Sequence, residues 1–85
     1  MLTDRQAAII RFVSVAAVAP TLGEIQFAVS AGAPFAVIPD VRDLHESGHI
    51  ASSARYHRGG VEIVYAVTST GQTALTAYDE ASGRT

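Results

Sequence analysis

Residues 20–48 constrain the fold most, because they contain the start and stop signals of two short, consecutive helices. Thr21 and Glu24 have the spacing of a capping box, in which each side chain accepts a hydrogen bond from the other residue's free backbone amide. We therefore expect a helix over residues 22–30. A turn is expected over residues 31–34 (AGAP), since glycine tolerates positive φ and proline suits the first position of a helix.

The second helix of this stretch is indicated by the spacing of its apolar residues. Val37, Val41 and Leu44 recur at intervals of four and three, which places them on one helical face, and Gly48 is a stop signal. Pro39 interrupts this pattern because it lacks a backbone donor, so the regular helix either begins at Pro39 or is kinked there. Two short helices joined by a glycine-containing turn are a helix-turn-helix pattern.

A β-hairpin is predicted directly after Gly48. Residues 49–57 alternate loosely, residues 58–60 (RGG) favour a turn, and residues 61–67 (VEIVYAV) are rich in β-branched side chains. A short strand near residues 18–20 is expected to pair with this hairpin. The sequence therefore predicts an α+β fold in the order α1-α2-α3-β-β-α4.

The two ends of the chain complete this organisation. Thr3 and Gln6 form a second capping box, which predicts a first helix that ends near Ala19. A final helix is expected over residues 71–78, after three candidate N-caps in the sequence TST. We therefore predict one domain over residues 1–78 and a polar, flexible tail over residues 79–85.

Several short motifs resemble those of winged helix-turn-helix proteins. LT-x-RQ at residues 2–6 and PT-x-x-EI at residues 20–25 are similar to the first two helices of LexA-type repressor DNA-binding domains, and Y-x-VT-x-x-G-x-x-x-L at residues 65–75 is similar to the strand-to-helix exit of MarR-type regulators. The resemblance implies a winged helix-turn-helix fold with a three-helix core, a C-terminal β-hairpin wing and a final helix. It also implies a small, dimeric transcriptional regulator that binds double-stranded DNA.

The resemblance assigns DNA contacts to two groups of residues. The recognition element comprises Ala33, Phe35, Ile38 and Arg42, and the wing contributes Arg55, Tyr56, His57 and Arg58. A basic and aromatic wing suits contact with the phosphate backbone or the minor groove. The recognition element is mostly apolar, so apart from its arginine it offers little beyond contact with a thymine methyl group.

The charge balance favours an alternative in which the protein binds another protein. The chain has six arginines, no lysine and eight acidic residues, giving a net charge of −2. DNA-binding proteins usually carry a basic excess, because phosphate neutralisation supplies most of their non-specific affinity. The alternative is a winged helix that does not bind DNA and uses the apolar segment of residues 33–39 as a protein contact surface.

Other classes of function find little support in the sequence. The chain contains no cysteine, and His45 and His49 would share a helical face only if the helix continued past Gly48. We therefore predict no metal site, no cofactor and no catalytic residues, and hence no enzyme. No signal peptide is evident and no apolar stretch is long enough to span a bilayer, so we expect a cytoplasmic protein without membrane contact.

Overall fold

A computed structural model describes residues 2–29 and 36–83, which form four helices and one antiparallel hairpin in the predicted α+β order. The elements are α1 (Asp4–Val15), α2 (Leu22–Val29), α3 (Val37–Glu46), β1 (Ile50–His57), β2 (Gly60–Val67) and α4 (Ser69–Ala81). The predicted turn at residues 31–34 lies outside the described residues, as do the candidate contacts Ala33 and Phe35.

The predicted capping boxes are both present. The Gln6 amide donates to the Thr3 hydroxyl at 3.1 Å, and the Thr3 amide donates to the Gln6 side chain at 3.0 Å. At the start of α2 the corresponding distances between Thr21 and Glu24 are 3.2 and 2.9 Å. Each box satisfies amides that have no partner inside the helix, which fixes where the helix begins.

Helix α1 ends at Val15, four residues before the expected end at Ala19, which corrects that prediction. Ala16 leaves the helix in an extended conformation, and the chain bends at residues 17 and 18 before it reaches the hairpin. The Tyr65 amide donates to the Pro20 carbonyl at 2.9 Å, and the next residue, Thr21, forms an antiparallel bridge with β2. The expected short strand is thus a single bridge, one residue later than predicted.

Helix α3 begins at Val37, so the prediction that the regular helix starts at Pro39 is wrong. Pro39 is the third helical residue, and the first four amides of a helix have no intrahelical acceptor, so no hydrogen bond is lost there. The helix stops where predicted. Gly48 has a φ of 82°, its amide donates to the His45 carbonyl at 3.2 Å, and the next amide donates to Leu44 at 2.9 Å. This pair of bonds is a Schellman motif.

Helix α4 is attached to the junction between α3 and β1. Of the three candidate N-caps, Thr68 is the one used, and its hydroxyl accepts from the Gly71 amide at 3.1 Å. The same hydroxyl donates to the Gly48 carbonyl at 2.5 Å, and the Thr68 amide donates to the His49 carbonyl at 3.1 Å. The helix continues to Ala81, beyond the expected end at residue 78.

The hydrophobic core lies between the helices and the inner end of the hairpin. Its fully buried side chains include Ile9, Ile10, Ile25, Val37, Leu44 and Ile50. Tyr65 and Val67 of β2, which are partly buried, pack against this cluster. Helix α3 and the hairpin are therefore fixed relative to each other, with their remaining sides exposed.

Candidate nucleic-acid interface

Helix α3 presents different side chains to the core, to the hairpin and to solvent. Val37, Val41 and Leu44 are buried, as their spacing predicted. Ile38, Arg42 and His45 lie along the side next to the hairpin, and the outward side consists of Pro39, Asp43 and Glu46. The helix thus places one arginine beside the hairpin and two carboxylates toward solvent.

A shallow cleft of about 200 Å³, which we call the α3–hairpin groove, separates α3 from β1 and β2. Its lining residues are Leu22, Ile38, Val41, Arg42, His45, Ser52 and Tyr65. The Nε2 atom of His45 lies 3.1 Å from the Ser52 hydroxyl, so this contact connects the helix to the strand. The groove combines an apolar floor with a polar edge that carries one guanidinium group.

Asp40 of α3 is not a free surface carboxylate. Its carboxylate pairs with the Arg5 guanidinium of α1, and its side chain is only 13% exposed. Arg11 pairs with Asp79 of α4 through contacts of 2.7 and 3.2 Å. The hydrogen bond from Arg11 to this carboxylate raises the pKa of Arg11 above its ordinary value. Both arginines of α1 therefore connect helices, and each is already paired with a carboxylate.

The predicted wing residues lie on two opposite faces of the hairpin. The strands pair one-to-one from Ile50 with Val67 to His57 with Gly60, and side chains alternate between faces. Tyr56 is on the face that continues the α3–hairpin groove, whereas Arg55 and His57 are on the other face. Arg58 lies in the turn, so the four residues do not form one basic patch.

Arg55 is occupied by contacts within the domain. It lies directly opposite Glu62 in the strand register, and its guanidinium donates to that carboxylate at 2.8 Å and to the Ala19 carbonyl at 3.3 Å. The hydrogen bond from Arg55 holds the pKa of Glu62 below its ordinary value, and the charge of Arg55 acts in the same direction. Arg55 therefore stabilises the hairpin and its connection to the segment before α2.

The remaining basic side chains differ in how closely they contact carboxylates or backbone groups of the domain. His57 accepts from the Gly59 amide at 3.1 Å and approaches Glu62 to 3.8 Å. Arg42 is 4.0 Å from the exposed carboxylate of its neighbour Asp43. Arg58 forms no ion pair within the described residues. Arg42 and Arg58 are therefore the guanidinium groups best able to meet an external phosphate.

The hairpin also exposes apolar side chains, of which the sequence prediction singled out Tyr56 but not Val61 or Ile63. Tyr56, Val61 and Ile63 are 81%, 56% and 53% exposed, and all three lie on the face that continues the α3–hairpin groove. Ile38 of α3 is exposed beside them. The alternation of β2 already placed Val61 and Ile63 on one face, but only the packing shows that the helices cover the inner end of that face and not its outer end.

The three histidines serve separate local roles, with His49 held to the Ser47 hydroxyl at 2.5 Å. Across residues 2–29 and 36–83, no cluster of three or more histidine or acidic side chains has the arrangement of a metal site. None of the helices in these ranges is long and apolar enough to cross a lipid bilayer.

Comparison with known proteins adds no assignment. No model of a known protein family matches the chain, and no curated protein matches it at a significant level.

Proposed function

We propose that the protein is a winged helix-turn-helix protein that binds double-stranded DNA as a small transcriptional regulator. The observation that carries the proposal is the placement of α3 beside the hairpin, with Arg42 on the groove side of the helix and Arg58 at the hairpin tip. In winged helices the third helix and the wing approach DNA together, and their basic side chains meet phosphates and base edges.

Two further observations support the winged-helix assignment. The bridge between Thr21 and Val64 adds a third, minimal strand to the hairpin before the second helix. Three residues of the MarR-like motif also attach α4 to the domain. Thr68 caps α4, Gly71 allows α4 to approach the α3–β1 junction, and Leu75 is buried. In this proposal α2 and α3 form the helix-turn-helix and residues 50–67 form the wing.

The charge distribution limits how strongly such a protein binds DNA. Because Arg5, Arg11 and Arg55 are engaged with carboxylates, Arg42 and Arg58 supply the phosphate contacts of the described surface. The exposed carboxylates of Asp43 and Glu46 oppose the approach of phosphate. We therefore expect weak, salt-sensitive binding to mixed-sequence DNA, with any higher affinity confined to specific sites.

A titration of fluorescently labelled mixed-sequence duplex DNA, followed by anisotropy from low to physiological salt, tests this proposal. If Arg42 and Arg58 each neutralise one phosphate, log K should fall with log salt at a slope of about −2 per monomer. Saturable binding with this slope supports the proposal and justifies selection of a preferred site. If the folded protein does not bind the duplex even at low salt, the proposal is overturned.

A second candidate function is a winged helix that binds a protein and not DNA. It is favoured by the apolar strip of Ile38, Tyr56, Val61 and Ile63, which occupies the surface where a DNA reader usually carries polar side chains. The two candidates differ in their response to Ile63→Ser, because this change leaves every arginine in place. It should leave DNA affinity unchanged under the first and weaken the protein complex under the second.

A further inference from the structure

Strand β1 has one open edge. The sheet has the order β1-β2, and the other side of β2 is occupied by the bridge to Thr21. No strand or bridge covers the outer side of β1 within the residues that the structure describes. The eight residue pairs between β1 and β2 follow in unbroken register, without a bulge, so the edge is long and regular.

The hydrogen bond at Tyr65 identifies which backbone groups of β1 point to this edge. The Tyr65 amide donates to Pro20, away from β1, so the pair of Tyr65 and Ser52 is one without hydrogen bonds between its strands. Such pairs alternate with hydrogen-bonded pairs along an antiparallel ladder. The donors and acceptors directed outward are therefore those of Ile50, Ser52, Ala54 and Tyr56.

The middle of β1 lacks the sequence features that usually prevent a sheet edge from pairing with another strand. Proteins block open edges with lysine, proline, bulges or inward-pointing charges. Residues 50–54 (IASSA) are small or apolar and uncharged, and the nearest charged side chain, Arg55, is held by Glu62 of the same hairpin. The edge is thus open to pairing with another strand.

We propose that this edge pairs with β1 of a second copy of the chain, in antiparallel orientation about a two-fold axis at Ser53. This register places Ser52 opposite the partner's Ala54, and Ile50 opposite the partner's Tyr56. It is the register in which all four outward-facing residues of each copy find a partner. It also avoids direct opposition of Arg55 with the partner's Arg55, which would be destabilising.

Charge complementarity at both ends of the paired strands favours a second copy over an unrelated peptide. Arg58 follows β1 and is brought opposite the partner's Gly48, at the C-terminal end of the partner's α3. Cations are stabilised at a helix C-terminus, and the exposed Glu46 of the last turn forms no ion pair within the described residues. By symmetry, each unpaired guanidinium thus meets a complementary site on the other copy.

This inference does not rest on DNA binding, and its tests are made without DNA. The absence of cysteine allows a test of register by cross-linking. Facing residues of a pair without cross-strand hydrogen bonds have Cα atoms about 4.5 Å apart, which suits a disulfide, whereas diagonal neighbours lie about 7–8 Å apart. Ser53→Cys should therefore form a disulfide-linked dimer with oxidised glutathione about tenfold faster than Ser52→Cys or the exposed control Ser82→Cys. Equal rates for the three variants, or fastest cross-linking at residue 52, would overturn the proposal.

A charge exchange tests the same dimer without covalent chemistry. In sedimentation equilibrium, Arg58→Glu and Glu46→Arg should each weaken dimerisation about threefold or more, and the double variant should recover it. Circular dichroism confirms that each variant is folded. A wild-type chain that remains monomeric up to millimolar concentration, or a double variant no better than the singles, would refute pairing through β1.

Discussion

Gly71 lies so close to the backbone of His49 that a β-carbon at residue 71 would be 2.1 Å from the His49 carbonyl oxygen. It would also lie 2.8 Å from the side chain of Val67. The first turn of α4 is thus packed directly on the junction between α3 and β1, and only glycine allows this approach.

Substitution of Gly71 should therefore be costly. Gly71→Ala forces α4 away from the α3–β1 junction, and we expect a loss of about 2 kcal/mol or more in the free energy of unfolding, measured by urea denaturation. Gly23→Ala is the matched control, because its β-carbon would meet only the Thr21 hydroxyl at 3.9 Å. This change should stabilise the domain by about 0.5–1 kcal/mol, since alanine favours a helix over glycine. Equal stabilities for the two variants would mean that α4 is not packed as described.

The two arginines of the hairpin should have different effects on DNA binding. Arg58→Ala should weaken binding to all sequences and reduce the salt slope by about one, because it removes one phosphate contact. Arg55→Ala should lower the stability of the hairpin more than it alters the salt slope, since Arg55 bonds Glu62 and Ala19. Anisotropy titrations combined with thermal melts separate these effects. If Arg55→Ala reduces the slope and Arg58→Ala does not, the assignment of roles is wrong.

Stability should depend on pH through Glu62. The pKa of Glu62 is lowered in the folded protein, mainly by the hydrogen bond from Arg55, so the folded state favours the charged carboxylate. The resulting stabilisation is present above the unfolded-state pKa of about 4.3 and is lost as the pH falls through the lower folded-state pKa. Glu62→Gln should therefore reduce the fall in melting temperature between neutral and acidic pH. A wild-type-like pH dependence in this variant would show that the ion pair contributes nothing.

Two aspartates of α3 allow the effect of a negative charge on DNA binding to be measured separately from its effect on stability. Asp40→Asn and Asp43→Asn remove the same charge, but the side chain of Asp40 is 13% exposed and paired with Arg5, whereas that of Asp43 is 57% exposed. We expect Asp40→Asn to cost about 1 kcal/mol in the free energy of unfolding and Asp43→Asn close to none. If α3 faces DNA, Asp43→Asn should also strengthen binding at low salt, and unchanged affinity would place the DNA elsewhere.

Features determined by neighbouring residues could be predicted from the sequence. The capping boxes at Thr3 and Thr21, the helix stop at Gly48 and the alternation of β2 depend on spacings of a few residues. The end of α1 could not be predicted in this way, because the sequence VAAV carries no stop signal and the contacts of the next segment with β2 are made by distant residues, Val64 and Tyr65. The same applies to Arg5 and Asp40, which the fold brings together from distant positions in the chain.

The arrangement of the hairpin side chains could not be predicted from the sequence. Because Arg55, Tyr56, His57 and Arg58 are adjacent in sequence, they suggest one basic and aromatic cluster. Strand alternation separates them, and the pairing of Arg55 with Glu62 depends on a register that the turn determines. The exposure of Val61 and Ile63 could not be predicted either, since it depends on how far the helices extend along the hairpin.

The carbonyl groups of Gly48 and His49, which accept from Thr68, have a consequence for how the domain opens. The same two residues connect α3 to β1 and hold the first turn of α4, so none of these elements can detach without breaking the bonds of the others. Local opening of α4 alone should therefore be suppressed. In native-state hydrogen exchange, the amides of His49 and Thr68 should exchange together and only through global unfolding, as a single cooperative unit.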